Sequence, residues 1–249
     1  MVTFMNPTTD APATYAPGDA VAYHGRLATD WEARYQKKSF RARVEAVEEC
    51  LQGGRLAGTA WLDAGCGTGT LARILADRGC DVTGVDAAAG MIRVAQDHAT
   101  QEASGDSRTG SLRFEVCGTI ERLSLAASSM DGVLCSSVLE YIDAAEEVLI
   151  EFFRVLKPGG VLLVSVPNSQ SIVRRAQVAA FHLGRRTGRK WLGFVEYSRN
   201  EYSVAEFEAL LRRCGFGVDK ALVFGSPMPR WMQRLRLGGS LLMFRAVRQ

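Results

Sequence analysis

Three alternating glycines lie between two aspartates in the stretch WLDAGCGTGTLARILADRGCDVTGVD, residues 61–86. Gly65, Gly67 and Gly69 follow an apolar, strand-like run and precede a helical pattern, which is the context that a ligand-binding glycine turn requires. Because glycine has no Cβ, such a turn lets a ligand lie against the backbone. Turns of this kind bind a dinucleotide, a triphosphate or an adenosyl group.

The residues around the turn discriminate among these ligands. A triphosphate loop needs a Gly-Lys pair followed by Ser or Thr, and no lysine follows these glycines. A dinucleotide pattern, GxGxxA, fits formally from Gly67 to Ala72, but Asp63 would then face a pyrophosphate. Asp86 stands 21 residues after Gly65, where a carboxylate suits the two hydroxyls of a ribose. S-adenosylmethionine (SAM), which carries an ammonium, a sulfonium and a ribose but no phosphate, matches best.

Predicted strands and helices alternate along the chain, which favours a parallel sheet with helices on both faces. We predict an α/β fold of Rossmann-like type, with a seven-stranded, mostly parallel sheet whose last strand is antiparallel. The predicted strands are TAWLDAG, DVTGVD, LRFEVCG, MDGVLCSS, VLLVSVP, VDKALVFG and SLLMFRAVR.

The helical segments are predicted from apolar periodicity and from capping residues. One amphipathic helix is expected over 21–51, and shorter ones over TLARILADRG, AAGMIRVAQDHAT, IDAAEEVLIEFFRVL and VAEFEALLRRCG. Asp143 is predicted to cap the third of these shorter helices, with Glu146 as its reciprocal partner. Ser203 and Glu206 form a second predicted capping box before the last helix.

We predict one domain over 21–249, preceded by a lead over 1–20 whose Pro, Ala and Thr content indicates disorder. Residues 21–55 form the predicted helical cover, and 168–200 form an insertion too long for a plain connector, which we interpret as a lid. No run of 18 apolar residues and no secretion signal are present, so a cytoplasmic location is expected. The six cysteines lack CxxC pairs and metal-like spacing, so we expect reduced thiols and no metal.

Charge is divided unevenly along the chain. Residues 1–167 contain 15 Lys/Arg against 22 Asp/Glu, whereas 168–249 contain 15 against 5. The segment SIVRRAQVAAFHLGRRTGRKWLGF combines six basic residues with apolar ones and has no acid. This pattern suits peripheral contact of 172–194 with the inner face of an anionic membrane, or binding of an anionic acceptor. A basic face exposed to solvent also explains it.

A nucleic-acid partner is not expected. The predicted fourth strand ends in SSVLEYI rather than in an NPPY-like motif for base amines, and we see no RNA-binding module. The expected partner is a small-molecule acceptor, and the sequence indicates no oligomeric state.

Four motifs resemble, in order and spacing, those of class I SAM-dependent methyltransferases: LDAGCGTG, VTGVD, MDGVLCSSVLEYI and RVLKPGGVLLVSVPN. The resemblance covers roughly 61–168 and is greatest to the branch that contains ubiquinone-pathway O-methyltransferases. It implies SAM as cofactor and methyl transfer to a hydroxyl of a natural-product, quinone-like or lipid-like metabolite. The alternatives are N- or C-methylation, an NAD-dependent oxidoreductase, or a non-catalytic partner protein of the same fold. The intact glycines and Asp86 argue against the non-catalytic partner protein.

The same resemblance implies contacts with the methionine end of the cofactor. Gly65, Cys66 and Gly67 would lie against the methionine part, and Asp63 would help to place its ammonium. Ser136, at the end of the predicted fourth strand, would line the sulfonium side.

At the adenosyl end, Asp86 would bind the ribose hydroxyls, with Ala87 beside it. Met91 would pack on the adenine, and Thr119 and Ile120 would lie at its edge. Many relatives have an aspartate where Thr119 stands, and a hydroxyl accepts a hydrogen bond from the adenine amino group less strongly.

Three residues are candidates for catalysis: Tyr141, His24 and His182. A neutral tyrosine is a poor base at pH 7, so Tyr141 is expected to orient the acceptor, whereas either histidine could act as a base. In the predicted cover, we expect Tyr35 to lie nearest the cofactor. Arg41 could pair with the methionine carboxylate as a bidentate fork.

Overall fold

The structure is a computed structural model that describes residues 20–35, 38–102, 109–187, 193–225 and 239–249. The side chains of 32–35, 38–39, 102 and 193–194 are outside this description. The predicted disordered lead lies outside the described residues except for Ala20.

Seven strands form one sheet in the order β3-β2-β1-β4-β5-β7-β6. All neighbours pair in parallel except β7, which runs antiparallel to both β5 and β6. The predicted fold class, including the antiparallel last strand, is therefore confirmed. The strands are β1 Ala60–Ala64, β2 Asp81–Asp86, β3 Leu112–Val116, β4 Met130–Ser136, β5 Leu156–Pro167, β6 Phe216–Phe224 and β7 Leu241–Arg248.

Eight α-helices surround the sheet in the described part of the chain: α1 Ala20–Arg26, α2 Ala28–Tyr35, α3 Lys38–Leu51, α4 Thr70–Asp77, α5 Ala89–Glu102, α6 Ala145–Val155, α7 Ile172–Arg186 and α8 Val204–Arg213. Short 3₁₀ helices cover Leu139–Tyr141 and Gly193–Tyr197. Of the predicted lid, 168–187 and 193–200 are described, and α7 is its main element.

The prediction of one helix over 21–51 was wrong, because three helices occupy this stretch. The first break is at Leu27, between α1 and α2, where a turn forms and the Leu27 amide donates to the His24 carbonyl at 2.9 Å. Gly25 lies directly against α5, since a Cβ added to Gly90 would come within 3.2 Å of the Gly25 carbonyl oxygen. The break lets both α1 and α2 pack on α5.

The two capping predictions had different outcomes. α6 begins at Ala145 with Ala144 as its cap and no side-chain acceptor, so the predicted cap at Asp143 was wrong. The Asp143 carboxylate lies one residue too early and pairs with Arg199. The Ser203–Glu206 capping box of α8 is confirmed, with both of its hydrogen bonds present.

The central strands β4 and β5 are buried on both faces, as expected of a doubly covered sheet. One core cluster contains buried residues of α6 and α8, and a second contains those of α3 and α4. Because β1 to β5 are parallel, their carboxyl ends meet at one edge of the sheet, where ligands bind in folds of this type.

Candidate functional site

A cavity of about 740 Å³ lies at the carboxyl ends of the parallel strands. Residues that end or follow β1, β2, β3 and β4 line its floor, and α1, α2, α3 and α7 contribute to its walls. Its volume falls within the range of small-molecule and cofactor sites. The glycine turn, the helical cover and the insertion therefore all contribute residues to one cavity.

The glycine turn after β1 is fixed by sterics and by hydrogen bonds. Gly65 has a φ of 76°, and a Cβ there would lie 2.2 Å from a methyl group of Val138. The amides of Gly65 and Cys66 donate to the Val85 carbonyl at 2.8 and 2.9 Å. The turn is thereby held against the end of β2.

The Asp86 carboxylate joins two loops of the cavity. Its Oδ2 accepts from the Gly67 amide at 2.9 Å, and its Oδ1 accepts from the Ala88 amide at 2.8 Å. Burial raises the pKa of Asp86, and these two bonds partly oppose the rise. Since each carboxylate oxygen has a further lone pair, Asp86 can still accept from two adjacent hydroxyls.

Asp63, at the end of β1, is only 1 % exposed. Burial raises its pKa to about 8, the charge of Asp86 adds to the rise, and the Ala72 amide partly offsets it. The Oδ2 atom is buried and has no hydrogen-bond partner within the described part of the chain. A carboxyl in this situation favours a cationic ligand beside it, because such a ligand stabilises the ionised form.

Ten of the twelve predicted cofactor residues line the cavity. The ten are Asp63, Gly65, Cys66, Gly67, Asp86, Ala87, Met91, Thr119, Ile120 and Ser136. Met91 and Ile120 are also buried in the hydrophobic core, so packing is part of their role. The side chain of Tyr35 lies outside the described residues.

The prediction for Arg41 is corrected, because that residue is exposed and does not line the cavity. Arg43, two positions later on α3, does line it. A step of two residues rotates a helical side chain by about 200°, and the phase of this helix was not evident from the sequence. The Arg43 Nη2 donates to Ser137 Oγ at 2.8 Å, and its guanidinium lies 4.9 Å from the Phe40 ring centroid.

Two of the three catalytic candidates line the cavity, namely Tyr141 and His24, and their rings are 5.0 Å apart. The His24 ring also contacts Trp31 at 5.3 Å, and its Nδ1 lies 2.7 Å from the Ala20 carbonyl oxygen. The prediction for His182 is corrected, since this residue lies on the exposed side of α7 and not in the cavity.

Glu140 is a cavity residue that sequence reasoning missed. It is 6 % exposed, and its Oε2 is buried without a hydrogen-bond partner among the residues described. Burial raises its pKa to about 7, although the charges of Arg43 and Arg174 and a hydrogen bond with Tyr141 oppose the rise. The only sequence signal was its place in VLEYI, directly before Tyr141.

Arg174 was also missed, and it brings the insertion into the cavity wall. This α7 residue is 4 % exposed and lines the cavity together with Gln177. Its Nε donates to Glu201 Oε1 and its Nη2 to Ser198 Oγ, both at 2.7 Å. The start of α7 is thereby fixed to the segment before α8.

A further acid of the cavity, Glu121, stands beside Thr119. The Thr119 hydroxyl donates to the Glu121 carboxylate. Glu121 therefore places a carboxylate in the cavity two residues after Thr119.

Within the described ranges, no three His, Cys, Asp or Glu side chains are grouped so that they could hold a metal ion. No helix of the same ranges combines the length and the apolar character needed to cross a membrane.

Residues 62–164 match a protein family described as "Methyltransferase domain". Among curated proteins, the mitochondrial ubiquinone biosynthesis O-methyltransferase of Rattus norvegicus is 34 % identical over 117 residues, covering 47 % of this chain and 33 % of the relative. The ubiquinone biosynthesis O-methyltransferase of Coxiella burnetii is 34 % identical over 126 residues, covering 51 % and 50 %. The chain thus spans between a third and a half of the length of these relatives.

Among solved structures, a SAM-dependent methyltransferase of Methanosarcina mazei aligns with a TM-score of 0.61 at 23 % identity. The alignment covers 81 % of this chain and 96 % of that one. At this identity, the likeness establishes the fold.

The protonation of Asp63 leads to a testable prediction. With its pKa raised to about 8, the free protein holds a proton on Asp63 at pH 7, and a ligand ammonium beside it would favour the ionised form. Binding of SAM at pH 7 should therefore release a proton. Calorimetry in buffers of different ionisation enthalpy measures this release.

The variant Asp63→Asn should lose most of the proton release, because its amide cannot ionise. Asp97→Asn, on the exposed side of α5, is the matched control and should release protons like the wild type. Equal release by Asp63→Asn and the wild type would show that Asp63 does not ionise on binding.

Proposed function

We propose O-methylation of a small molecule as the function of this chain, which carries a class I S-adenosylmethionine-dependent methyltransferase domain. One observation carries the proposal: a single cavity contains the glycine turn with Asp63 and Asp86, and also the polar residues Glu140 and Tyr141. The first group suits a cofactor with an ammonium and a ribose, and the second suits an acceptor with a hydroxyl.

The cavity residues fit the parts of SAM. Asp86 has acceptor capacity for the ribose hydroxyls, and the orphaned Asp63 Oδ2 suits the ammonium. The Arg43 Nε is buried without a partner in the described structure, which suits the methionine carboxylate. Glu121 or Thr119 could accept from the adenine amino group. When bound, SAM supplies an electrophilic methyl group on a positively charged sulfur.

The chain's own contribution to methyl transfer is positioning and exclusion of water. The aromatic rings of Tyr23, His24, Trp31 and Tyr141 line the cavity from the cover and from the loop after β4. Burial and the charge of Glu140 raise the pKa of Tyr141 well above its usual range. Tyr141 therefore stays protonated and can orient the acceptor by a hydrogen bond, but it is not a base.

The competing functions fit the cavity less well. An NAD-dependent oxidoreductase would place an anionic pyrophosphate near the buried carboxyl of Asp63, which would offer no cation to stabilise the ionised form of that carboxyl. Methyl transfer to nitrogen or carbon would use the same cofactor site, so only the acceptor atom distinguishes these reactions from O-methylation. The curated relatives named as O-methyltransferases support oxygen, over the part of their length that this chain covers.

The acceptor atom can be measured with SAM labelled in its methyl carbon. We expect label to pass to hydroxyl compounds such as catechol and to be recovered as a methyl ether, with one S-adenosylhomocysteine (SAH) formed per ether. Reactions with excess SAH provide the control, because the product competes for the same site. Label recovered only in amine or carbon acceptors, or no transfer above the SAH control, would contradict O-methylation.

A second proposal concerns peripheral contact with an anionic membrane through α7. Ile172 and Leu183 are each 58 % exposed on this helix. Arg175, Arg185 and Arg186 are exposed beside them, and α7 contains no acidic residue. Exposed apolar and basic side chains on one helix suit an anionic lipid surface. Arg189, Lys190 and Trp191, which belong to the same predicted surface, lie outside the described residues.

Co-sedimentation with vesicles tests this contact. The protein should sediment with vesicles that contain phosphatidylglycerol and not with pure phosphatidylcholine, and Arg185→Gln with Arg186→Gln should weaken the binding. Arg212→Gln with Arg213→Gln on α8 is the matched control, because these arginines pair with Glu208 and Glu146. Equal sedimentation of both double variants would contradict a role for α7.

A further inference from the structure

One buried acid of the cavity is not needed to hold the cofactor. We propose that Glu140 takes the proton from the acceptor hydroxyl, and that this hydroxyl is of the phenol or enol type. The inference rests on the proposed function, since it presupposes transfer to oxygen. It assigns the role of base to Glu140, whereas the sequence had suggested only His24 and His182 as bases and Tyr141 as a residue that orients the acceptor.

The position of Glu140 supports this role. It belongs to the 3₁₀ helix that directly follows β4, and its main chain is fixed because its carbonyl accepts from the Arg199 amide at 2.7 Å. Its side chain lines the cavity and is buried, and its Oε2 accepts no hydrogen bond from the described chain. Buried acceptors are normally satisfied, so a hydroxyl donor in the cavity would complete this one.

Charged groups from several elements face the carboxyl. Arg43 on α3 and Arg174 on α7 favour its ionised form, and Glu201, before α8, disfavours it. The Tyr141 hydroxyl donates a hydrogen bond to the Glu140 carboxyl. The neighbouring Cys135 stays neutral, since burial raises the pKa of its thiol well above the usual range.

These opposing effects, with burial the largest, raise the pKa of Glu140 to about 7. A substantial fraction of the carboxyl is therefore ionised at neutral pH, and it can both take and return a proton there. A base is most effective when its pKa lies near the working pH. Tyr141 cannot replace it, because its own pKa is raised well above the usual range.

In the proposed step, the O–H bond of the acceptor breaks and its proton passes to the Glu140 carboxylate, while an oxygen lone pair forms the new O–C bond to the methyl group. The C–S bond breaks, and its electron pair stays on sulfur, which becomes a neutral thioether. One negative charge on Glu140 and one positive charge on sulfur are thus neutralised together.

The basicity of a carboxylate indicates the acceptor class. A phenol has a pKa of about 10, whereas an alkyl alcohol lies near water, at about 16. A carboxylate with a pKa near 7 is about 3 units from the first and about 9 units from the second. Proton transfer from a phenol or an enol is therefore matched to Glu140, and transfer from an alkyl alcohol is not.

Glu140→Gln tests the role with catechol and benzyl alcohol as probes. The wild type should methylate catechol faster than benzyl alcohol, and kcat/KM for catechol should rise with pH around a midpoint near 7. Glu140→Gln should lower kcat by about 100-fold or more and abolish this rise, while SAH affinity stays within about 3-fold. Glu147→Gln, an exposed residue on α6, is the matched control and should behave like the wild type.

A second measurement needs no turnover. The pKa of Glu140 is raised from 4.5 to about 7 on folding, so its contribution to stability is fully present below pH 4.5 and is lost as pH rises through 7. Glu140→Gln cannot ionise, so its Tm should increase relative to the wild type over this interval. Glu147→Gln should show no such trend.

The outcomes separate this inference from the proposed function. If Glu140→Gln has the rate and pH profile of the wild type, the role of Glu140 is overturned while O-methylation stands. If the Tm difference between Glu140→Gln and the wild type does not depend on pH, the proposed protonation of Glu140 is overturned. Preference for benzyl alcohol over catechol would overturn the acceptor class. If the protein binds SAH but methylates neither probe, the proposed function fails, and this inference fails with it.

Discussion

The site depends on the carboxylate of Asp86, which joins two separate loops. One oxygen accepts from the Gly67 amide in the turn after β1, and the other accepts from the Ala88 amide just before α5. The pairing of β1 with β2 sets the two loops side by side, and these bonds fix the distance between them. The same two oxygens keep lone pairs that could accept from the hydroxyls of a ribose, so we propose that this one side chain both shapes the cofactor site and binds the cofactor.

Burial raises the pKa of two other acids of the cavity. Asp63 and Glu140 are both removed from water, and the pKa of each is raised, to about 8 and about 7. The charge of the nearby Asp86 raises the pKa of Asp63 further. At Glu140, by contrast, the charges of Arg43 and Arg174 oppose the rise in pKa. Asp63 thus suits a ligand ammonium, and Glu140 suits the reversible uptake of a proton.

The fold class, the glycine turn and Asp86 could be predicted because short-range spacing determines them. Glu140 could not be recognised, since its burial and charge environment come from α3 and α7, which are distant in sequence. The same limit explains the choice of Arg41 over Arg43, because the side of α3 that faces the cavity depends on how this helix packs in three dimensions, which the sequence alone did not show. His182 was misplaced for a related reason: only the docking of α7 shows that Arg174 and Gln177, and not His182, line the cavity.

The central claim is that Asp86 and the glycine turn bind the adenosyl ribose of SAM, and calorimetric titration of Asp86→Ala with SAM tests it most directly. Two charge-assisted hydrogen bonds to hydroxyls are lost, so affinity should fall at least about 100-fold. Asp97→Ala, on the exposed side of α5, should bind like the wild type. A folded Asp86→Ala protein that binds SAM with unchanged affinity would contradict the account.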